Sequence, residues 1–163
     1  MVAVLLVSLG ASADDHPVPL SPSVEVWTDY VSGDSNTTDS SNGAFDTLFG
    51  TNHGYYGTMD IFTDIPKHAG GLGLVDMGVG VAVKPTTGVD VMVDAHYFQL
   101  AHADGSRERE LGVEVDLTVA WIAKPFMLTG GYSFFRPGTA MTNLKAGGRG
   151  TERFAYVMTG VKF

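Results

Sequence analysis

The chain has 163 residues, a formal net charge of −8 and no cysteine. Such a length suffices for one domain, or for about six to eight membrane strands, but not for two ordinary domains. Only 17% of the residues are charged, whereas 21 are glycine, which is an unusually low charge content for the surface of a soluble domain. The acidic balance excludes a nucleic-acid partner, because no basic stripe is present to neutralise phosphates. The lack of cysteine excludes disulfides and thiolate metal sites.

Residues 1–13 contain an apolar run followed by Ala11-Ser12-Ala13, which has the small-x-small form of a signal-peptidase site. No Lys or Arg precedes the run, and the run is too short to span a bilayer as a helix. Two interpretations therefore stay open for this region. It is either a signal-like segment or a piece of a strand that precedes the others.

Alternation with a period of two, rather than the helical 3.6, dominates the rest of the chain. It is cleanest over residues 111–121, where six apolar residues alternate with polar or small ones. Similar but weaker patterns predict five further strands. The predicted strands are residues 24–32, 75–83, 89–101, 111–121, 126–135 and 154–163.

The connections between these strands alternate in length. Residues 85–88 and 123–125 are tight turns, whereas residues 33–70, 103–107 and 137–152 form longer polar loops. Short turns on one side and long loops on the other are typical of outer-membrane barrels, whose short turns face the periplasm. The pattern predicts an all-β, antiparallel, up-and-down transmembrane β-barrel segment of about six strands in the bacterial outer membrane.

Aromatic residues fall near the strand ends on the apolar face, as an interfacial belt requires. The chain ends on Phe163 behind an alternating strand, which resembles the C-terminal signature of outer-membrane proteins. We therefore expect three kinds of contact: with outer-membrane lipid and lipopolysaccharide, with the barrel-assembly machinery through the last strand, and with a polar solute. The predicted lipid-interface aromatics are Tyr30, Tyr97 and Phe134 at the long-loop end, and Trp121, Phe126 and Phe163 at the short-turn end.

Acidic side chains dominate the strand face opposite the apolar one, and Lys84 and Lys162 are the main compensation. Such a wall favours cations and repels an anionic polymer. The fold itself requires polar residues inside any wide barrel, so a solvated wall without selectivity is the simpler interpretation. The predicted lumen-lining residues are Glu25, Asp29, Asp76, Asp90, Asp94, His96, Glu110, Glu114 and Asp116.

The longest irregular segment, residues 33–70, has an aromatic second half. We expect residues 44–62 to fold back over the mouth or into the lumen, where aromatic rings can stack on sugars. The loop at residues 137–152 adds basic charge, which can meet acidic polysaccharide or lipopolysaccharide phosphate, or can simply be solvated. The predicted mouth and loop residues are Phe45, Phe49, His53, Tyr55, Tyr56, Lys145, Arg149 and Arg153.

Six motifs occur in a fixed order along the chain: WTDYVSGD at 27–34, FDTLF at 45–49, TNHGYYGTMD at 51–60, HYF at 96–98, LGVEVDLTVAW at 111–121 and GYSFFRPG at 131–138. By their order and spacing, residues 22–163 resemble the C-terminal region of the alginate-export porin family. The resemblance implies a single-chain barrel of about eighteen strands, of which this sequence supplies about the last six. Residues 14–163 are then the C-terminal portion of the barrel, and the implied function is passive diffusion or export of a polar solute, such as the anionic polysaccharide alginate. The family's basic constriction cannot be carried over, because the strands that complete the pore are absent from this sequence.

Three groups of residues are candidate chemical sites, and each also has a simpler interpretation without a chemical role. Glu114 and Asp116 have the spacing of a glycosidase carboxylate pair, but any alternating strand with a polar face produces such pairs. His96 and His102 are candidate metal ligands or pH sensors, or solvated histidines. The acidic residues at 34, 39 and 46 could bind Ca²⁺ without matching an EF-hand, or form a solvated loop. We predict no enzyme activity, no catalytic residue, no metal and no cofactor.

Two other interpretations of the chain compete with the channel interpretation. The apolar faces could form the core of a secreted soluble β-sandwich that binds or cleaves carbohydrate. Alternatively, the chain could be a truncated barrel fragment without a function of its own, since an open sheet leaves two unpaired edges.

Overall fold

The computed structural model describes residues 7–10, 22–36, 43–46, 56–103, 105, 108–144 and 150–161. In these residues seven strands form one sheet in chain order, each antiparallel to the next. The predicted all-β, up-and-down fold is confirmed. No second sheet packs on the first in the described ranges, so the structure does not support the alternative of a soluble β-sandwich. The strands are β1 Val7–Gly10, β2 Ser23–Val31, β3 Leu74–Thr86, β4 Val89–Leu100, β5 Glu110–Ala123, β6 Phe126–Pro137 and β7 Glu152–Val161.

β1 lies within the region that had two open interpretations. Its backbone pairs with β2, with Val7 opposite Val26 and Gly10 opposite Ser23. These four residues therefore form a strand, and both interpretations of residues 1–13 stay open. The rest of residues 1–13 lies outside the described residues, so the proposed division at residue 13 stays a prediction.

Short and long connections alternate as predicted. Two-residue turns join β3 to β4 and β5 to β6, while β2–β3, β4–β5 and β6–β7 are joined by long segments at the opposite end. The long segments contain two helices that the sequence pattern did not predict, α1 Ile65–His68 and α2 Thr139–Leu144. Asp64 caps α1, because its side chain accepts a hydrogen bond from Lys67 N at 3.1 Å. Neither helix in the described part of the chain is long and apolar enough to cross a membrane.

The two faces of the sheet have opposite character, and their exposure is inverted relative to a soluble protein. On the apolar face Val157 is 75% exposed and Trp121 is 52% exposed. On the polar face Glu114 is 0% exposed and Asp116 is 2% exposed. Water-soluble folds bury apolar side chains and keep carboxylates outside, so the exposure on both faces of this sheet is the reverse of that rule.

A β-bulge interrupts the alternation at the start of β5. Phe98 pairs with Gly112 but Gln99 pairs with Glu110, so Leu111 is an extra residue. Two predictions are wrong for this reason. Glu110 is exposed and lies in the row of Gln99, not in the row of Glu114, and Leu111 is fully buried instead of facing lipid.

An apolar cluster covers the polar face at its long-loop end. We call residues 56–72 and 138–144 the cap, because they pack on the buried strand residues Val31, Leu74, Phe98 and Phe135. The Phe62 ring is central, with its centroid 4.6 Å from that of Phe98 and 6.2 Å from that of Phe135. The cap thus closes one end of the polar face with hydrophobic contacts, whose burial stabilises it by about 1.5–3 kcal/mol for each large side chain.

Candidate solute-facing wall

The strand register places predicted lumen residues of β2 to β5 side by side. One row runs across the sheet from Trp27 through Gly78 and His96 to Glu114. The next row on the same face lies two residues nearer the short turns and consists of Glu25, Gly80, Asp94 and Asp116. Strict alternation in each strand produces this concentration of charge, because it puts every second residue on the same face.

Asp76 lies in the adjacent row and binds two side chains of the first row. Trp27 Nε1 donates to Oδ2 of Asp76 at 3.1 Å, and Nδ1 of His96 donates to the same carboxylate at 3.0 Å. The indole of Trp27 and the imidazole of His96 meet edge to face, with centroids 5.1 Å apart. Gly78 makes this contact possible, because a Cβ there would overlap the Trp27 ring. His96 is only 9% exposed, so the expectation of a solvated histidine is wrong.

Glu114 and Asp116 hold the first turn of the cap. Met59 N donates to Oε1 of Glu114 at 2.8 Å, and Thr58 N makes a weaker, longer contact with Oδ2 of Asp116 at 3.4 Å. Gly57 lies directly on the Glu114 carboxylate, where a Cβ would sit 2.5 Å from that group, and it has a φ of +88°. Hydrogen bonds from these backbone N–H groups to buried side-chain oxygens attach the loop to the strand face.

A second aromatic residue crosses the wall in the same manner. Tyr156 on β7 pairs directly with Gly131 on β6, and its ring occupies the space that a Cβ at Gly131 would need. Its hydroxyl lies 3.2 Å from that of Thr118 on β5. Glycines opposite aromatic residues therefore shape both halves of the polar face.

The predicted lumen set divides into three groups. Asp90 lies on the polar face near the short turns, where it is well exposed and its carboxylate is 3.1 Å from Lys84 Nζ. Glu110 is displaced by the bulge, as described above. The remaining members share the polar face and are Glu25, Asp29, Asp76, Asp94, His96, Glu114 and Asp116.

The predicted mouth residues are less well placed. Tyr56 belongs to the cap and packs against its buried apolar cluster, and Phe45 is exposed at 41%. Arg153 is not in a loop. It lies in β7, where it pairs with Phe134 of β6. Phe49, His53, Tyr55, Lys145 and Arg149 lie outside the described residues.

The predicted interface aromatics that are described lie on the apolar face. Tyr30 and Phe134 are exposed near the long-loop end, and Trp121 and Phe126 are exposed near the short turns. Tyr97 is half-buried, between Met77 and Val113 on the neighbouring strands. Phe163 lies outside the described residues.

The other ionisable groups do not form a metal site within the described residues. No group of three or more His, Asp or Glu side chains in the described ranges is arranged to hold a metal ion. Asp34 instead accepts from the backbone N of Asn36 at 2.9 Å and of Gly43 at 3.4 Å. In α1, burial lowers the pKa of His68, although Asp64 acts in the opposite direction. His68 Nδ1 is buried without a hydrogen-bond partner among the described residues.

The sequence pattern missed the contact between the cap and the wall. Residues 56–59 were expected to fold towards the lumen, but their partners Glu114 and Asp116 lie more than fifty positions away in the chain. The local sequence offers only Gly57, which directly follows Tyr55 and Tyr56. Alternation identifies the face of Glu114, but it does not identify what covers it.

Comparison with known proteins adds one match. The family model described as alginate export matches residues 15–155. No curated protein and no solved structure matches the chain.

Proposed function

Because the chain belongs to the alginate export family, a transport family, we propose that it forms part of the wall of a bacterial outer-membrane channel. A polar solute diffuses or is exported along the polar face. The observation that carries this proposal is the inverted exposure of one sheet, whose Val157 is 75% exposed while Glu114 is 0% exposed. A barrel wall has this arrangement, with lipid on the apolar side and polar surroundings on the other.

The proposal also assigns partners to each surface. The apolar face contacts outer-membrane lipid and lipopolysaccharide, and the exposed aromatics Tyr30, Trp121 and Phe126 lie at the two interfaces. The last strand engages the barrel-assembly machinery. The side of the sheet with the short turns is periplasmic, and the cap lies at the outer mouth.

The solute is the finer part of the proposal. The family description makes alginate, an anionic polysaccharide, the first solute to test. The wall formed by β2 to β5 is acidic, however, and an acidic wall attracts cations and repels polyanions. We therefore propose a polar solute as the cargo class, with charge selectivity to be measured rather than assigned from the family.

We propose that Glu114 and Asp116 have no catalytic role. Glycoside hydrolysis needs two carboxyl groups that flank the scissile bond and can reach it. Glu114 is fully buried, and the N–H of Met59 and the backbone of Gly57 cover its carboxylate. The purified protein should not turn over alginate or other glycans. Turnover by the wild type that is lost in Glu114→Gln would contradict this proposal.

The test of the channel proposal uses the absence of cysteine, since each introduced cysteine then gives a unique label. Single cysteines at Val115, Leu117 and Val119, and at Thr118 and Ala120, are spin-labelled in lipid vesicles. We expect labels at the first three positions to collide with lipid-soluble oxygen, and labels at the other two to be protected from it. A helical period along β5, or uniform protection, would contradict the assignment.

A further inference from the structure

A groove runs over β6 on the apolar face of the sheet. Its floor is Gly130, which lies between Val119 on β5 and Val157 on β7. Since β6 is an interior strand, both sides of the groove belong to this chain. The space has a volume of about 370 Å³ and is lined by apolar side chains, among them Trp121 and Leu128. An extended apolar chain therefore has a place on this face that the neighbouring strands do not fill.

Two arginines lie on the same face, between this groove and the long-loop end. Arg153 on β7 pairs with Phe134 on β6, and Arg136 follows Phe134 by two residues on the same strand. Residues in such diagonal positions on a sheet are about 7–8 Å apart, a distance that long side chains can bridge. Both arginine side chains are exposed. One small anion can therefore contact both guanidinium groups.

Neither guanidinium group forms an ion pair within the part of the chain that the structure describes. Glu110, an exposed acidic residue of the same face, lies opposite Gln99 on β4, and β6 separates it from Arg153. The cost of an arginine on a lipid-facing surface is large at the bilayer midplane and small near the interface. We therefore expect these two arginines at the level of the lipid headgroups, where an anion of the membrane can pair with them.

The arginines and the groove together point to one class of ligand. Phosphate oxygens suit neighbouring arginines, because each planar guanidinium group can donate two parallel hydrogen bonds to them. The groove begins at Tyr132, two residues from Phe134, and continues along β6 to Leu128. It thus runs from the arginines towards the short turns, as the acyl chain of a lipid runs away from its headgroup. A molecule with a phosphate group and an acyl chain fits both parts.

We propose that this groove and the two arginines form a binding site for lipopolysaccharide. A phosphate group of its lipid A part lies between Arg136 and Arg153, and one acyl chain lies over Gly130. Lipopolysaccharide is the phosphate-bearing lipid of the outer leaflet, where the long-loop end lies in the proposed channel. The inference thus rests on the proposed function, and it gives one of the partners a defined place on β6 and β7. Spin-label accessibility along β5 tests the channel separately, so a sheet with the expected alternation that fails to bind lipid A loses only this site.

The test uses the full chain in the assembly that it forms in a non-ionic detergent. Lipid A is titrated, and native mass spectrometry counts the lipid molecules that stay bound to each assembly. Dephosphorylated lipid A is the control for the headgroup, and sodium phosphate is the control for phosphate without acyl chains. We expect saturable binding of lipid A, binding of the dephosphorylated lipid that is weaker by about tenfold or more, and no displacement by sodium phosphate. Equal binding of both lipids, displacement by sodium phosphate, or no saturable binding would overturn the proposal.

Variants of the arginines locate the phosphate group. Arg136→Gln and Arg153→Gln should each weaken the binding of lipid A about tenfold, because each removes charge-assisted hydrogen bonds. Both side chains are exposed, so neither change should disturb the fold. Arg109→Gln is the matched control, since Arg109 is exposed in the β4–β5 connection and does not line the groove. Equal weakening in all three variants would mean that lipid A responds only to net charge, and it would overturn the proposal.

A second pair of variants tests the groove. Gly130→Leu should fill it, and the strand can accept the change, because the only described atom that a Cβ at Gly130 would meet within 4 Å is the Tyr156 O, at 3.7 Å. Ala95→Leu is the control, because Ala95 lies on the apolar face of β4 and lines a separate groove that has no Lys or Arg of the described residues in its lining. We expect Gly130→Leu to weaken the binding of lipid A about tenfold and Ala95→Leu to leave it unchanged. Equal binding by these two variants would show that no acyl chain occupies the groove over Gly130, and it would overturn the proposal.

Discussion

At the scale of single residues, Gly57 controls how closely the cap approaches the wall. Its φ is +88°, and its backbone packs directly against the Glu114 carboxyl group. Gly57→Ala should detach this turn, because a left-handed conformation costs about 1–2 kcal/mol for a residue with a Cβ, and the overlap with Glu114 adds to that cost. The measurement is protection of the Met59 amide from hydrogen exchange.

The control for this variant is Gly150→Ala, since a Cβ there meets no atom of the described residues within 4 Å. We expect the Met59 amide to exchange faster in Gly57→Ala and at an unchanged rate in Gly150→Ala. Full protection in Gly57→Ala would mean that the bond to Glu114 does not depend on the glycine.

His68 makes the stability of the cap depend on pH. Burial lowers its pKa below 6.5, so the unfolded chain takes up a proton at a higher pH than the folded one. The stabilising effect of the neutral folded form is therefore present above pH 6.5 and is lost as the pH falls below that value. The free energy of unfolding of the wild type, relative to His68→Gln, should fall between pH 7.5 and pH 5.5. A difference that stays constant over that range would contradict this linkage.

At the scale of elements, the two faces of β5 should respond in opposite ways to the same substitution. Val115 lies on the apolar face, between Ala95 and Phe134 on the neighbouring strands. Val115→Arg should cost about 2–4 kcal/mol if the residue is near the bilayer midplane. Ala120→Arg is the control, because Ala120 is on the polar face directly opposite Asp90. Urea unfolding in lipid vesicles measures both, and equal costs would mean that the faces are not distinguished by lipid.

Alternation was enough to predict these strands, but not the points where it fails. The bulge is invisible in the pattern, because Leu111 continues the apolar series that ends at Trp121. The helices α1 and α2 have four and six residues, which is too short for a 3.6-residue period to emerge. The docking of Met59 on Glu114 is a long-range contact, and no local pattern encodes it.

At the scale of the whole molecule, the open edges of the sheet decide how the chain exists in a membrane. In the part of the chain that the structure describes, β1 and β7 each pair on one side only. Hydrocarbon cannot replace a missing strand, and each unsatisfied backbone group costs several kcal/mol there. The sheet must therefore pair β1 with β7 or obtain further strands.

Direct closure of β1 on β7 is disfavoured by the volume on the polar face. A barrel of about eight strands has an interior that side chains alone fill, and fewer strands leave less room. Here the polar face already carries Trp27, the aromatic ring of Tyr156 and the whole cap, with Phe62 buried against Phe98 and Phe135. These groups need a wider enclosure, so we expect the edges to pair with strands outside this chain.

The last prediction follows from that requirement. The 163-residue chain alone, in detergent, should have a mass greater than the 17.3 kDa monomer once bound detergent is subtracted. A single cysteine at Thr159 on the edge strand β7 should cross-link between copies, whereas one at Val119 on the interior strand β5 should not, because β4 and β6 already flank β5. Sedimentation and non-reducing gels measure the two effects. A monodisperse, heat-resistant monomer that conducts ions would contradict the argument, since it would require the cap and the wall to fit inside a barrel closed by this chain alone.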